Sequence, residues 1–310
     1  MLEAHLRQRI NEKKRRLDQL RPLPQGVLQR LQEQLIVEWT YHSNAIEGNT
    51  LTLRETLLIL QTGLTIGGKT LREHFEVINH RDAIAFVETL VAQAEVVTPF
   101  QVRQIHALVL KGIDDENAGH YRQLPVQIAG AAHRPPEAWE VPGLMTAWGD
   151  WLAGDASHLH PVEQAALAHH QLAALHPFID GNGRTARLVM NLLLLKDGFP
   201  PTVIRKENRR QYYRVLAQAD GGNTTPFVNF VGRAVDRSLT LYLEAATPQP
   251  MAPAETDQWL PLRTLAAETP YSQEYLSLLV RSGRLEAIKR GRNWYTTRRA
   301  VADYQRSIRI

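Results

Sequence analysis

Twelve consecutive residues, His176-Pro-Phe-Ile-Asp-Gly-Asn-Gly-Arg-Thr-Ala-Arg187, set one imidazole, one carboxylate and two guanidinium groups around a Gly-Asn-Gly turn. An anion is held by inward-pointing N–H groups and positive potential. Gly181, Asn182 and Gly183 at the start of a helix offer both, because glycine lets phosphate approach the backbone closely. Arg184 and Arg187, three apart on that helix, project from neighbouring positions of one face and suit successive phosphates of a polyphosphate. Asp180 among these donors would repel phosphate unless a cation lay between them, which makes it a candidate ligand of Mg²⁺. His176 titrates near neutral pH and can take a proton. Each piece alone has a plainer reading: a helix-end histidine, a turn, two solvated arginines. Together within twelve residues they describe phosphoryl or nucleotidyl transfer.

Such a loop has to be held by the elements on either side of it. Pro161 to about Leu175 reads as a helix that starts with proline in its first turn, where the missing N–H costs little. Arg184 to Lys196 reads as a second helix, apolar nearly all round (Leu188, Val189, Met190, Leu192, Leu193) and stopped by Gly198 and Pro200-Pro201. A helix of that kind belongs in the middle of a bundle. Upstream, Leu28, Leu31, Leu35 and Ile84, Val87, Leu90, Val91 recur at helical spacing. Val126 to His133 alternates briefly and breaks at Gly130, which predicts a small hairpin. Ala245 to Gln258, with Pro248, Pro250 and Pro253, reads as a linker. The expected organisation is a helical region over 1–95, a core over 96–244, a linker over 245–258 and a module over 259–310.

The segment 176–187 matches, at every defined position, the pattern His-x-Phe-x-Asp/Glu-Gly-Asn-Gly-Arg-x-x-Arg, and by it the chain resembles the Fic family. The resemblance implies a mainly α fold, a Fic-type helical bundle with a β-hairpin flap, and transfer of AMP from ATP to a hydroxyl of a target protein. It implies that His176 deprotonates the hydroxyl and that Asp180 binds Mg²⁺. The α-, β- and γ-phosphates would be held by Asn182 with its neighbouring N–H groups, by Arg184 and by Arg187, with Phe178 as an apolar anchor. Ala118-Gly-His-Tyr-Arg122 and Val126, Gln127, Ile128, Ala129 and Gly130 look like the family's flap, which lines up the target chain as an added strand. Asn208 to Tyr213 resembles the segment that forms the base pocket. Because adjacent aromatics on a helix face different ways, one of Tyr212 and Tyr213 is expected at the base and the other in the core. Ser43-Asn-Ala-Ile-Glu47-Gly48-Asn49 resembles the family's inhibitory pattern, in which Glu47 would pair with Arg187 and occupy the γ-phosphate position. In some relatives the same glutamate supports removal of AMP by positioning a water.

Residues 259–310 read as helix, turn, helix, hairpin, helix, similar to a small winged helix-turn-helix. They hold ten Lys/Arg against four Asp/Glu in a chain of net charge +4. In a DNA reading Ser272, Gln273, Glu274 and Tyr275 start the recognition helix, and Arg281, Lys289, Arg290 and Arg292 meet phosphates. Such modules also mediate protein contacts. No apolar run is long enough for a membrane span, the charged amino terminus is no signal peptide, and the chain has no cysteine, so a cytoplasmic protein is expected. A target protein, DNA and a second copy of the chain are the partners considered. The alternatives are a DNA-binding regulator or antitoxin-like partner built on the same core, and a relative using UMP, phosphocholine or phosphate. A metal hydrolase built on His158, His160, His169, His170 and His176 is disfavoured because these lack a compact ligand pair.

Overall fold

The computed structural model describes residues 1–23, 25–94, 96–246 and 258–307. Ten helices precede residue 247 among them: α1 (Ala4–Gln19), α2 (Gln25–Ile46), α3 (Leu53–Thr62), α4 (Leu71–Ala92), α5 (Pro99–Leu110), α6 (Val141–Ala153), α7 (Pro161–Leu175), α8 (Asn182–Lys196), α9 (Arg209–Asp220) and α10 (Thr225–Ala246). They are followed by β1 (Trp259–Pro261), α11 (Leu262–Glu268), α12 (Gln273–Arg281), β2 (Ile288–Arg290), β3 (Asn293–Thr297) and α13 (Arg298–Ser307). The chain is mainly helical. Most of the expected linker lies outside the described residues, α10 running through Ala246. Among the described residues no helix is long and apolar enough to cross a membrane.

Contacts divide the chain into two compact units, Met1–Asn11 with Ile36–Asp236, and Glu12–Leu35 with Arg237–Ile310. In the first unit α7 and α8 form the closest pair, and α4 and α5 close over α8. The apolar circumference of α8 is the cause: Leu188, Val189, Met190, Leu192 and Leu194 are all fully buried. The helices around it start on their own signals. Thr52 with Glu55, Thr70 with Glu73 and Thr98 with Gln101 form reciprocal capping boxes on α3, α4 and α5, each cap contributing about 1 kcal/mol. Gly232 of α10 leaves room for α1, since a Cβ there would come within 2.6 Å of Leu2 Cδ1.

The residues expected as a flap hairpin form no strand. Ala131 donates to Ile128 O in a turn with Gly130 at φ 76°, and no ladder joins the two arms among the described residues. Each arm is instead tied to the helical core by a side chain, Arg122 at one end and His133 at the other, and Arg122 also reaches Pro136 O across the base of the segment.

The carboxyl-terminal module has its own antiparallel sheet in the order β1-β3-β2. The strand β1 carries no turn signal or alternation of its own and was not anticipated. Tyr275, expected in the reading surface, is 6% exposed; it stacks on Tyr271, and its hydroxyl meets that of Tyr304 at 3.1 Å. Ser272 is the cap of α12, accepting from Tyr275 N, so the exposed residues of the first turn are Gln273 and Glu274.

Candidate active site

The loop between α7 and α8 is built by the residues whose chemistry singled it out. α7 ends on His176, which adopts a left-handed conformation (φ 48°) as the C-cap residue. Its Nδ1 lies 3.2 Å from Ala173 O. A carbonyl can only accept, so Nδ1 carries the proton and Nε2 keeps its lone pair. Burial lowers the His176 pKa below its ordinary value, with Arg122 acting in the same sense, against the Ala173 carbonyl, Glu47 and Asp180. At neutral pH His176 is therefore an unprotonated base with Nε2 free.

Phe178 is 1% exposed and stacks on His106 with ring centres 3.6 Å apart and planes within 4°. Asn182 folds back on it, accepting from Phe178 N at 3.0 Å and donating to Phe178 O at 2.8 Å. The Asn182 side chain thus braces the loop. No side chain caps α8, whose N-cap Gly181 sits at φ 74°. The first N–H groups of that helix remain directed at whatever anion approaches.

Every charged side chain of the motif is matched by an opposite charge from α4 or the turn after α2. Arg187, 2% exposed, pairs with Glu47 (Nη2–Oε1 2.8 Å). It also donates from Nε to Ser43 Oγ at 3.0 Å and from Nη2 to Ser43 O at 2.9 Å. Gly183 makes room for this, because a Cβ there would collide with the Glu47 carboxylate. Arg184 lies 3.2 Å from Glu76 and 3.5 Å from Asp180. Its Nε is buried without a hydrogen-bond partner among the described residues, a donor that an anion would satisfy. Asp180 pairs with Arg72 and accepts from Gly181 N at 2.6 Å. Burial raises its pKa, but Arg184, the Gly181 N–H and Arg72 outweigh it and hold the carboxyl below its usual value.

The two tyrosines face different ways. Tyr212 is buried, accepts from Arg187 Nη1 at 3.4 Å and meets His169 Nε2 at 2.9 Å. Tyr213 is 37% exposed under the Arg209 guanidinium, 4.9 Å from its ring centre.

Four positioning residues, Arg72, Glu76, Arg122 and His106, carry no signal of that role in the sequence. Arg72 and Glu76, one helical turn apart on α4, hold Asp180 and Arg184; nothing in their spacing distinguishes them from an ordinary exposed pair. Arg122 was read only as part of the flap. It donates from Nε to His176 O at 2.8 Å, from Nη1 to Leu124 O at 3.2 Å and from Nη2 to Pro136 O at 2.5 Å, tying loop to flap. His106 accepts from Gly119 N at its Nδ1 (3.0 Å), so its Nε2–H donates to Asp180 O at 2.9 Å.

Burial lowers the His106 pKa to about 4. A histidine depressed in this way contributes stability above its unfolded value that is lost as pH falls towards the folded one, here about 2–3 kcal/mol between pH 6.5 and 4.5. Urea unfolding at pH 7 and pH 4.5 should show His106→Gln losing less stability on acidification than the parent by that amount. Equal losses in both proteins would remove His106 from the acid response.

A family model described as Fic/DOC family matches residues 96–194. A curated relative from Nematostella vectensis, named protein adenylyltransferase Fic, is 40% identical over 259 residues, 82% of this chain and 60% of its own length. One from Drosophila willistoni with the same name is 39% identical over 73% of this chain and 45% of its own. The chain thus spans about half of the length of these relatives. Among solved structures, a Fic domain containing signaling protein from Bacteroides thetaiotaomicron superposes with TM-score 0.72 at 32% identity, covering 79% of this chain and all of that one. With the motif, the helical bundle and a wholly covered relative in agreement, the chain belongs to the Fic/DOC family.

Proposed function

We propose that the chain transfers AMP from ATP to a hydroxyl group of a protein side chain, and that Glu47 restrains it. The observation that carries this reading is the pairing of a free His176 Nε2 with an uncapped α8 terminus in one loop. The printed name of the curated relatives, protein adenylyltransferase, agrees with it. The hydroxyl oxygen attacks the α-phosphorus while its proton passes to Nε2 of His176. The bond from that phosphorus to the oxygen bridging to the β-phosphate breaks, and pyrophosphate leaves. The N–H groups of Asn182 and Gly183 face the α-phosphate, and Arg184 and Arg187 stabilise the leaving charge. Tyr213, the accessible tyrosine, borders the base.

Asp180 suits a hard divalent cation: one partly exposed carboxylate kept ionised, beside the place of the phosphates, as Mg²⁺ sites on nucleotides require. Bound there, Mg²⁺ would neutralise phosphate charge, and Arg72 would have to release the carboxylate first. Among the described residues no backbone ladder joins the arms about Gly130, which suits Val126 and Gln127 to a target segment laid alongside. In this reading 96–244 supplies the chemistry and 1–95 the restraint.

Incubation of the Glu47→Gly protein with ATP labelled at the α or the γ position tests the reaction. Label retained on protein from the α position alone is expected. Retention from the γ position alone would make the enzyme a kinase instead.

A further inference from the structure

The carboxyl-terminal module carries a surface that the transferase reading does not use. Gln273, Ser277 and Arg281 recur every four residues on α12 and therefore share one face. That face lines a groove of about 320 Å³ whose opposite wall is Arg292, Asn293 and Trp294 of the β2–β3 hairpin, with Arg263 of α11 at its margin. Three guanidinium groups thus border one groove. Arg263, Arg281 and Arg292 are all exposed, and among the described residues none has an ion-pair partner. No carboxylate lines the groove. Glu268 is engaged with Arg298 and Asp303 with Arg299, while Glu274 lies one step around α12 from Gln273.

The hairpin extends the same positive edge. Lys289 sits over Trp294 at 5.8 Å and Arg290 over Tyr295 at 5.5 Å, so both cations are held along the strands by aromatic faces.

We propose that this groove seats the sugar–phosphate backbone of duplex DNA, with Arg263, Arg281 and Arg292 on the phosphates and the exposed first turn of α12, at Gln273, nearest the base edges. Exposed, unpaired arginines with short amide and hydroxyl side chains between them are the donors that grip phosphates without burying a ligand. A small nucleotide would need enclosed polar contacts, and an acidic protein partner would need apolar anchors at the centre of its interface. The groove's arginines are solvent-exposed, and its apolar lining residues, Pro261, Leu262, Trp294 and Tyr295, are buried or half-buried, Trp294 and Tyr295 under Lys289 and Arg290. A short helix beside a protruding hairpin also has the dimensions to enter a major groove while the hairpin follows the flanking strand.

Fluorescence anisotropy of a labelled random-sequence duplex with the full chain tests this. Three phosphate contacts predict that affinity falls about 40-fold between 50 and 200 mM salt, with a slope of log affinity on log salt near −2.7. Each of Arg263→Ala, Arg281→Ala and Arg292→Ala should reduce that slope by about 0.9, whereas Arg233→Ala, an exposed arginine of α10, should leave it unchanged. All are surface substitutions, and a thermal melt confirms that each variant folds. Absence of binding at 50 mM salt, an unchanged slope in the three variants, or equal competition by polyglutamate, which would mark a protein partner, would each overturn the proposal.

Discussion

Alanine at position 176 is expected to lower AMP transfer by about 10²- to 10⁴-fold while leaving the affinity for ATP within about twofold of the parent. The first half follows from the ring's environment. Nδ1 is committed to Ala173 O, so Nε2 is the one basic site of the imidazole. The loop's other base, the ionised carboxylate of Asp180, is weakened and engaged by Arg72, Arg184 and the Gly181 N–H. The second half follows because the groups proposed to hold the phosphates, the α8 terminus with Arg184 and Arg187, do not include His176. The left-handed backbone at 176 is a complication that can be removed: asparagine tolerates that conformation better than alanine and offers no base. His176→Asn should therefore be as inactive as the alanine variant but closer to the parent in thermal stability. The parent's acid limb should lie below the ordinary histidine value, since burial lowers the His176 pKa and it is the unprotonated ring that works. A variant that loses ATP binding in step with activity, or keeps more than a tenth of its rate, would take the base role away from His176.

The parts of this site that were legible in the sequence are those fixed by neighbours along the chain. Proline at 161 and glycine at 198 bracket α7 and α8, and the apolar circumference of α8 announces its central place, because these signals act within a turn or two of the backbone. The partners of the motif's charges were legible only where a known pattern carried them, as Glu47 and Ser43 did. Arg72 reaches Asp180 across 108 positions of sequence, and His106 reaches it across 74; no periodicity encodes either contact. The flap shows the converse failure. Val126 to Ile128 alternates as a strand should, yet a strand needs a partner edge. Arg122 and His133 fasten the two arms to His176 and Ala174, and Arg122 joins the arms through its side chain to Pro136 O instead of through a backbone ladder. Tyr275 failed for a third reason: at the start of a short helix it looked like a surface reader, but it packs into a tyrosine cluster with Tyr271 and Tyr304, from helices that its own spacing does not announce.

Glycine at position 47 is expected to raise AMP transfer by about 10- to 100-fold at ATP concentrations below saturation, and to lower the thermal stability of the nucleotide-free protein. Both effects have the same origin. The Glu47 carboxylate sits over Gly183 at the start of α8 and pairs with Arg187, where phosphate charge has to go. In the proposed reaction ATP displaces it, and an ion pair of this kind, with the Glu47 side chain 32% exposed, is worth about 1–3 kcal/mol against the incoming phosphate. Removing the carboxylate returns that energy to ATP binding. It also leaves Arg187, 2% exposed, with only Ser43 and Tyr212 as partners. Such a stranded cation costs up to about 3–5 kcal/mol. Because ATP supplies the missing charge, it should raise the melting temperature of Glu47→Gly more than that of the parent, by mass action on a tighter site. Glu47→Gln separates charge from shape. It keeps a hydrogen-bond acceptor near Arg187 without the negative charge, so its activity should fall between the two. Equal rates and equal ATP-induced stabilisation in parent and Glu47→Gly would mean that the pair is a structural brace and that restraint of this site lies elsewhere, with Arg72 on Asp180 the next contact to remove.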